Sequence, residues 1–369
     1  MRFGRMGRRR PYGAEPSLTR QLLLHGGLLL ATFFTTTLAG AEWVHQRLFF
    51  VGPDGSFQLM GSLSLEQIAD GLWFSIPFLG ILTVHELGHL LMARRYGIRT
   101  SWPYYLPFYL GFGPSIGTVG AVIRIRDRVY SRREFFDIGI AGPLAGFAVV
   151  LPVLVIAYIT LPHILPAPPP RGLWLGHNLL IDLLEKAFHV PAFVHPSLAR
   201  EPLVMAGFLG AFFTALNLLP IGQLDGGHIL YGLLGYGRAA RLSVLFFALL
   251  VGYAGLGLIS PTDSLSYLAY ALPLYLLYLY LLARPAVPRP AWAIGVALLM
   301  LTVQVGVKWL FPTLAGQPGW LLLALLLARG VGLFHPPAPR DEPLDPGRQV
   351  LGWLAMGLLL LCFSPSPFE

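Results

Sequence analysis

Within "FLGILTVHELGHLLMARRYG", residues 78–97, two histidines and a glutamate interrupt a run of Leu, Ile, Phe and Val. Residues four apart on a helix share a face, so His85 and His89 present ring nitrogens to one point, as two ligands of a metal ion must. Glu86 sits about 100° further round the axis, close enough to reach a water on that ion without taking a coordination position. H-E-x-x-H on a helix unites these parts: two imidazole ligands and a carboxylate general base. The structural alternative is a set of polar residues used only for helix packing. In a bilayer that alternative is costly, because an ionised side chain at mid-membrane costs about 2.5–3.5 kcal/mol even on insertion scales.

A catalytic zinc takes three protein ligands and keeps a fourth position open, so a third ligand must come from another segment. The best candidate is Asp225, in "NLLPIGQLDGGH" at residues 217–228. Taken alone, "LDGG" reads as a turn, since Asp-Gly is a common turn pair. Its neighbours reverse that reading. Pro220 and Gly222 interrupt a helical run, which lets backbone near Asp225 line a cavity. The amide of Asn217 is placed to donate to an oxyanion, or else to make an interhelical hydrogen bond; spacing leaves both open. His228 is either a ligand or a partner behind one.

The chain that positions these groups is a membrane protein. Of its 369 residues 55% are hydrophobic and only 12% charged, against about 25% charged in a soluble domain, and the mean hydropathy is +0.64. Apolar windows long enough to span about 30 Å of hydrocarbon fall near 21–42, 71–93, 135–160, 201–219, 241–259, 265–283, 291–310, 318–334 and 349–363. The expected fold class is an all-α polytopic membrane protein with about eight to nine transmembrane helices and a small membrane-associated β-sheet after the HExxH helix. Four regions follow from this: a basic terminus at 1–20, a first span with its outer loop at 21–70, a catalytic core at 71–235, and C-terminal spans at 236–369 that include a Pro-rich loop at 335–348. A basic start and "AGA" at 39–41 also resemble a cleavable signal peptide, although the apolar run is long for one.

Of 26 basic residues 24 are Arg, and their placement marks orientation. With the N-terminus inside, only Arg47, Arg171, Lys186, Arg200 and Lys308 face outward, as the positive-inside rule expects. Both His85/His89 and Asp225 then fall toward cytoplasmic ends of their spans. The isoelectric point of 9.7 does not signal nucleic acid, because the cations form no stripe on one face. The single Cys362 excludes an internal disulfide and suits inert packing in the last span. Among the connections, 161–200 contains an amphipathic stretch, "NLLIDLLEKAFHV", which reads as a surface helix in a connector rather than a lid. The loop at 98–133 differs, because "GTVGAVIRIRDR" alternates with a period of two and predicts a strand within 116–127.

"HELGH" with "NLLPIGQLDGGH" resembles the site-2 protease family of intramembrane zinc metalloproteases. "GTVGAVIRI", "FDIGIAGPLAGF" and the tail "GLFHPPAPRDEPLD" with "LGWLAMGLLLLCFSPSPF" resemble the branch containing the plastid proteases named for an ethylene-dependent gravitropism-deficient phenotype. The resemblance covers roughly residues 70–363 and lacks the PDZ and CBS modules of some relatives. It implies Zn2+ held by His85, His89 and Asp225, with Glu86 as catalytic base and Asn217 near the reacting carbonyl. The implied substrate is a transmembrane-helix protein cut in or near the lipid bilayer; the expected setting, with the charge bias putting the N-terminus and the site toward the cytoplasm, is a bacterial plasma membrane. Such a substrate must unwind locally, and an edge strand carrying Val122 and Ile123 would hold the unwound segment. The same residues admit two other readings: a metal-ion transporter, and an inactive relative that only binds membrane segments. Natural substrate and oligomeric state are not written in the sequence.

Overall fold

In a computed structural model the described residues are 17–52, 56–58, 61–111, 115–161, 175–191, 195, 198 and 200–368. The basic cluster Arg2–Arg10, Arg171 and the "PAPPPR" segment lie outside them. Among the described residues six helices are long and apolar enough to cross a membrane: Thr19–His45, Leu65–Arg95, Arg132–Ile159, Tyr236–Ala254, Leu265–Ala283 and Pro290–Leu310. Three expected spans appear as shorter apolar helices, Pro202–Leu218, Gly319–Val331 and Pro346–Cys362. A straight helix of 17 residues covers only about 25 Å, less than the hydrocarbon thickness. The chain divides into two compact units, one of Met1–Tyr130, Asp137–Leu216 and Gly357–Glu369, the other of Ser131–Phe136 and Asn217–Met356.

The first unit opens with α1 (Leu18–His45), capped by the Ser17 hydroxyl accepting from Arg20 N. Helix α2 (Leu65–Asp70) begins in a capping box made by Ser64 and Gln67, and α3 (Leu72–Arg95) follows directly. Helices α1 and α3 meet where glycine leaves room: a Cβ on Gly71 would lie 1.9 Å from the Thr37 carbonyl oxygen. Helix α3 ends on a left-handed Gly97 (φ +65°), with Ile98 N donating to Ala93 O. Arg94 and Arg95 in its last turn complement the helix dipole.

Strands β1 (Tyr104–Phe108) and β2 (Gly117–Val122) pair antiparallel. The register shifts between Leu106 and Pro107, where proline has no N–H to give the ladder. The strand expected within 116–127 therefore has a shorter regular part, because it ends at Val122. Pairing resumes in pieces beyond it: Ser101 N donates to Arg124 O and Arg126 N to Arg99 O, and Arg99 forms an ion pair with Asp127 at 2.9 Å. The hairpin lies lengthwise on α1. Near its open end Pro103 O is 3.0 Å from His25 Nδ1, at the loop end of the strands Thr35 Oγ1 donates to Gly117 O, and in the loop beyond them Trp43 Nε1 donates to Ser115 O. From His25 to Thr35 α1 rises about 15 Å beside the sheet, and the loop beyond the strands carries the contact on to Trp43, about 27 Å from His25.

Helix α4 (Arg132–Ile159) passes from the second unit into the first. The expected surface helix is α5 (Leu179–Ala187), capped by Asn178. His195 ties the following loop to it, with Nδ1 at 2.6 Å from Glu185 and Nε2 at 3.0 Å from Leu175 O. Burial pushes the pKa of His195 down, but the hydrogen bond and charge of Glu185 outweigh it and leave it raised. Helix α6 (Pro202–Leu218) completes the unit as far as Leu216.

The second unit holds α7 (Asp225–Leu234), α8 (Tyr236–Ala254), α9 (Leu265–Ala283), α10 (Pro290–Leu310) and α11 (Gly319–Leu326) with a π-helical turn at Leu327–Val331. Most of α12 (Pro346–Cys362) also belongs to it. Leu230, Tyr231 and Ala239 form a small core against Phe135, Leu234, Leu242 and Ala338.

Candidate active site

In the first unit, α3 brings His85 and His89 together as their spacing requires. Their Nε2 atoms are 3.0 Å apart, near the ~3.3 Å expected for two imidazoles on one tetrahedral zinc with Zn–N of about 2.0–2.1 Å. Both rings are buried, and so is Glu86, at 6% exposure. His89 Nδ1 lies 2.7 Å from the Ile138 carbonyl. A carbonyl only accepts, so Nδ1 carries the proton and the Nε2 lone pair points at His85, which is the tautomer a metal ligand needs.

Helix α4 supplies the wall behind this pair. A Cβ on Gly142 would fall 2.1 Å from His89 Nε2, one on Gly146 would fall 3.1 Å from His85 Cβ, and one on Gly88 would fall 2.5 Å from Ala141 O. The small residues of "AGPLAGF" thus allow helix approach, as G-x-x-x-G spacing suggests, and the room they leave is occupied by the two imidazoles. Gly142→Ala is expected to displace His89 and to lower zinc affinity at least about tenfold, the scale on which ligand support acts; equilibrium chelator competition measures it, and unchanged affinity would refute the packing argument.

The hairpin is fastened beside the same pair. Thr83, two residues before His85, meets the Tyr105 hydroxyl at 2.7 Å, and Tyr105 pairs with Ala121, next to Val122. Val122 is 49% exposed. Ile123 is half-buried and lies just past the end of β2.

In the second unit Asp225 is the first residue of α7 and half-buried. A carboxylate there is favoured by the helix dipole. The glycines after it are steric necessities: a Cβ on Gly226 would lie 1.9 Å from Leu218 O, and one on Gly227 would lie 2.2 Å from Gly222 O. "LDGG" is therefore a helix start folded back onto the segment before it. Asn217, also half-buried, stands in the last turn of α6. His228 Nδ1 is 2.7 Å from His335 Nε2. Burial, reinforced by the neighbouring His228, drives the pKa of His335 down to about 3, so His335 is neutral at physiological pH.

Sequence reasoning did not find Thr83, Tyr105, the Ile138 carbonyl or Ser243. A backbone carbonyl carries no side-chain signature, and a lone Thr or Tyr in an apolar helix or aromatic loop has no diagnostic spacing. His335 had one signal, its place in the tail motif.

The HExxH helix lies among apolar helices long enough to cross a membrane, and the chain matches the profile of Peptidase family M50 over residues 73–258, half its length. It belongs to that family. It is 32% identical over 195 residues to the probable zinc metalloprotease EGY2, chloroplastic, of Oryza sativa subsp. indica, covering 51% of this chain and 34% of that protein. Against the Arabidopsis thaliana EGY2 the identity is 32% over 192 residues, with 51% and 33% covered. Against the probable zinc metalloprotease EGY1 of Oryza sativa subsp. japonica it is 30% over 226 residues, with 60% and 37% covered. The matched region spans about a third of these relatives' length. No solved structure matches the chain.

Proposed function

We propose that the protein is an intramembrane zinc metalloprotease that hydrolyses peptide bonds in or near transmembrane segments of protein substrates. The observation that carries this reading is the buried His85/His89 pair, with the His89 tautomer set by a backbone carbonyl and a buried carboxylate, Glu86, adjacent in sequence. His85, His89 and Asp225 are the proposed ligands, and each offers one ligand atom, two imidazole nitrogens and one carboxylate oxygen. That donor set is of the kind catalytic zinc takes. Zinc held by it supplies Lewis acidity and lowers the pKa of water to about 7.

Glu86 takes the proton of the attacking water and returns it to the leaving amine. Asn217 donates its amide N–H to the oxyanion that develops on the scissile carbonyl. A helical substrate must first expose that carbonyl, and the chain at Val122, the last residue of β2, and Ile123, just past it, offers an edge to pair with. Val122→Pro is expected to cut turnover at least about tenfold, as the loss of a ladder bond at a recognition edge would, with zinc content unaltered. Unchanged cleavage would remove the hairpin from the mechanism.

We read the three shorter apolar helices as further membrane segments of an eight- to nine-span protein, and the positive-inside bias supports an N-terminus and a site toward the cytoplasm; the membrane proposed is a bacterial plasma membrane. The chain is proposed to divide at 1–20, 21–70, 71–235 and 236–369. The purified full-length protein tests the activity: a synthetic transmembrane peptide is cleaved, a zinc chelator stops cleavage, and added zinc restores it. Chelator-insensitive cleavage, or zinc flux into vesicles without cleavage, would overturn the reading.

A further inference from the structure

The tail motif around His335, to which the proposed chemistry assigns nothing, is fastened along its length to the segment that carries Asp225. Gln223 Nε2 donates to Val331 O at 3.0 Å. Ser243 bridges the two stretches, accepting from Gly222 N at 2.9 Å and donating to Leu333 O at 2.6 Å. Gly222, at φ +56°, comes so close that a Cβ would lie 1.7 Å from Gly332 O. Further on, the His335 ring stacks on Tyr231 at 4.2 Å and meets the edge of Phe135 at 4.5 Å. Ala338 N then donates to the Tyr231 hydroxyl at 3.0 Å, and beyond it Arg132 reaches Asp341 at 3.6 Å.

The proton placement within the strap is determined. His335 Nδ1 lies 2.6 Å from Pro336 O, which only accepts, so Nδ1–H donates and Nε2 carries the lone pair. His228 Nδ1 must then donate to His335 Nε2 across the 2.7 Å contact. A phenylalanine at 335 would pack on Tyr231 and Phe135 equally well, without the desolvation cost of a buried imidazole. What an imidazole adds is a directional bond to His228. His228 lies three residues after Asp225, one turn along the same face of α7, so the bond holds the rotation of the turn from which the Asp225 carboxylate projects.

We propose that His335 is a positioning residue for the Asp225 carboxylate, acting through its hydrogen bond to His228, and that residues 331–341 form a strap holding the Asp225 turn in place. The inference rests on reading Asp225 as a zinc ligand. Side chains that support metal ligands change affinity by about 10–100-fold when removed, which sets the expected scale.

The test uses full-length protein in detergent, with zinc affinity read by chelator competition, the visible spectrum of the cobalt-substituted protein, and thermal unfolding. His335→Phe is expected to weaken zinc binding about 10–100-fold and to alter the cobalt bands, with Tm near wild type. His335→Gln, whose Oε1 can accept from His228, is expected to stay within about threefold of wild type. Unchanged affinity and spectrum in His335→Phe would overturn the proposal, and so would equal losses in His335→Phe and His335→Gln. If His335→Phe does not fold, Ser243→Ala, which unfastens the strap elsewhere, is read by the same two criteria. Asp225→Asn separates the failures: normal zinc binding there removes the ligand reading and this inference with it, whereas lost binding there beside wild-type binding in His335→Phe removes the strap alone.

Discussion

Glu86→Gln is expected to leave the zinc content of the purified protein unchanged and to reduce cleavage of a transmembrane peptide by at least about 10²–10⁴-fold, the range a positioned general base contributes. The expectation follows from shape and charge. Gln has the length of Glu and fills the same buried space in α3, but its amide cannot take a proton from water. His85 and His89 are untouched, and the His89 bond to Ile138 O, which sets its tautomer, involves neither side-chain oxygen of residue 86. Elemental analysis beside a cleavage assay reads both quantities. Retained cleavage would remove Glu86 from the chemistry. A change in vesicle ion flux would instead favour transport.

Asp225→Asn should behave in the opposite way, losing zinc first and activity as a result. The substitution replaces an anionic oxygen donor by a neutral, weaker one while nearly preserving volume, and the expected loss of zinc affinity is at least about 100-fold, beyond the range for outer supporting groups. Because Asp225 opens α7, the change also removes a favourable helix-dipole contact worth only about 0.3–1 kcal/mol. Tm of the metal-free protein should therefore fall by only a few degrees, about 2–4 °C per kcal/mol for a chain of this order. Chelator competition on folded protein isolates the ligand effect, and wild-type affinity would mean that the third ligand lies elsewhere. Together the two variants separate holding the metal from using it.

Much of the site is legible because it is local. The i, i+4 spacing of His85 and His89 dictates that both rings share a face of α3, and the structure seats their nitrogens 3.0 Å apart. The interruption at Pro220 and Gly222 is likewise local, whereas the need for Gly226 and Gly227, where the start of α7 folds onto the carbonyls of Leu218 and Gly222, appears only in the structure. The alternation in "GTVGAVIRIRDR" announces extended chain. Its regular strand stops at Val122, because period-two patterning reports side-chain faces and says nothing about which N–H groups find partners.

Sequence alone, then, determined the apolar character of the chain, the helix that carries the imidazoles, and the residue types able to bind a cation and move a proton, all consequences of composition and short-range periodicity. Tertiary structure decided that the hairpin and its loop follow α1 from His25 to Trp43, that Ile138 O orients His89, that Gly142 and Gly146 make room for the rings, and that His335 reaches His228. Those contacts join residues dozens of positions apart through backbone carbonyls and missing Cβ atoms. A carbonyl is the same in every residue and an absent methyl has no spacing rule, so their roles emerge only when packing brings the partners together.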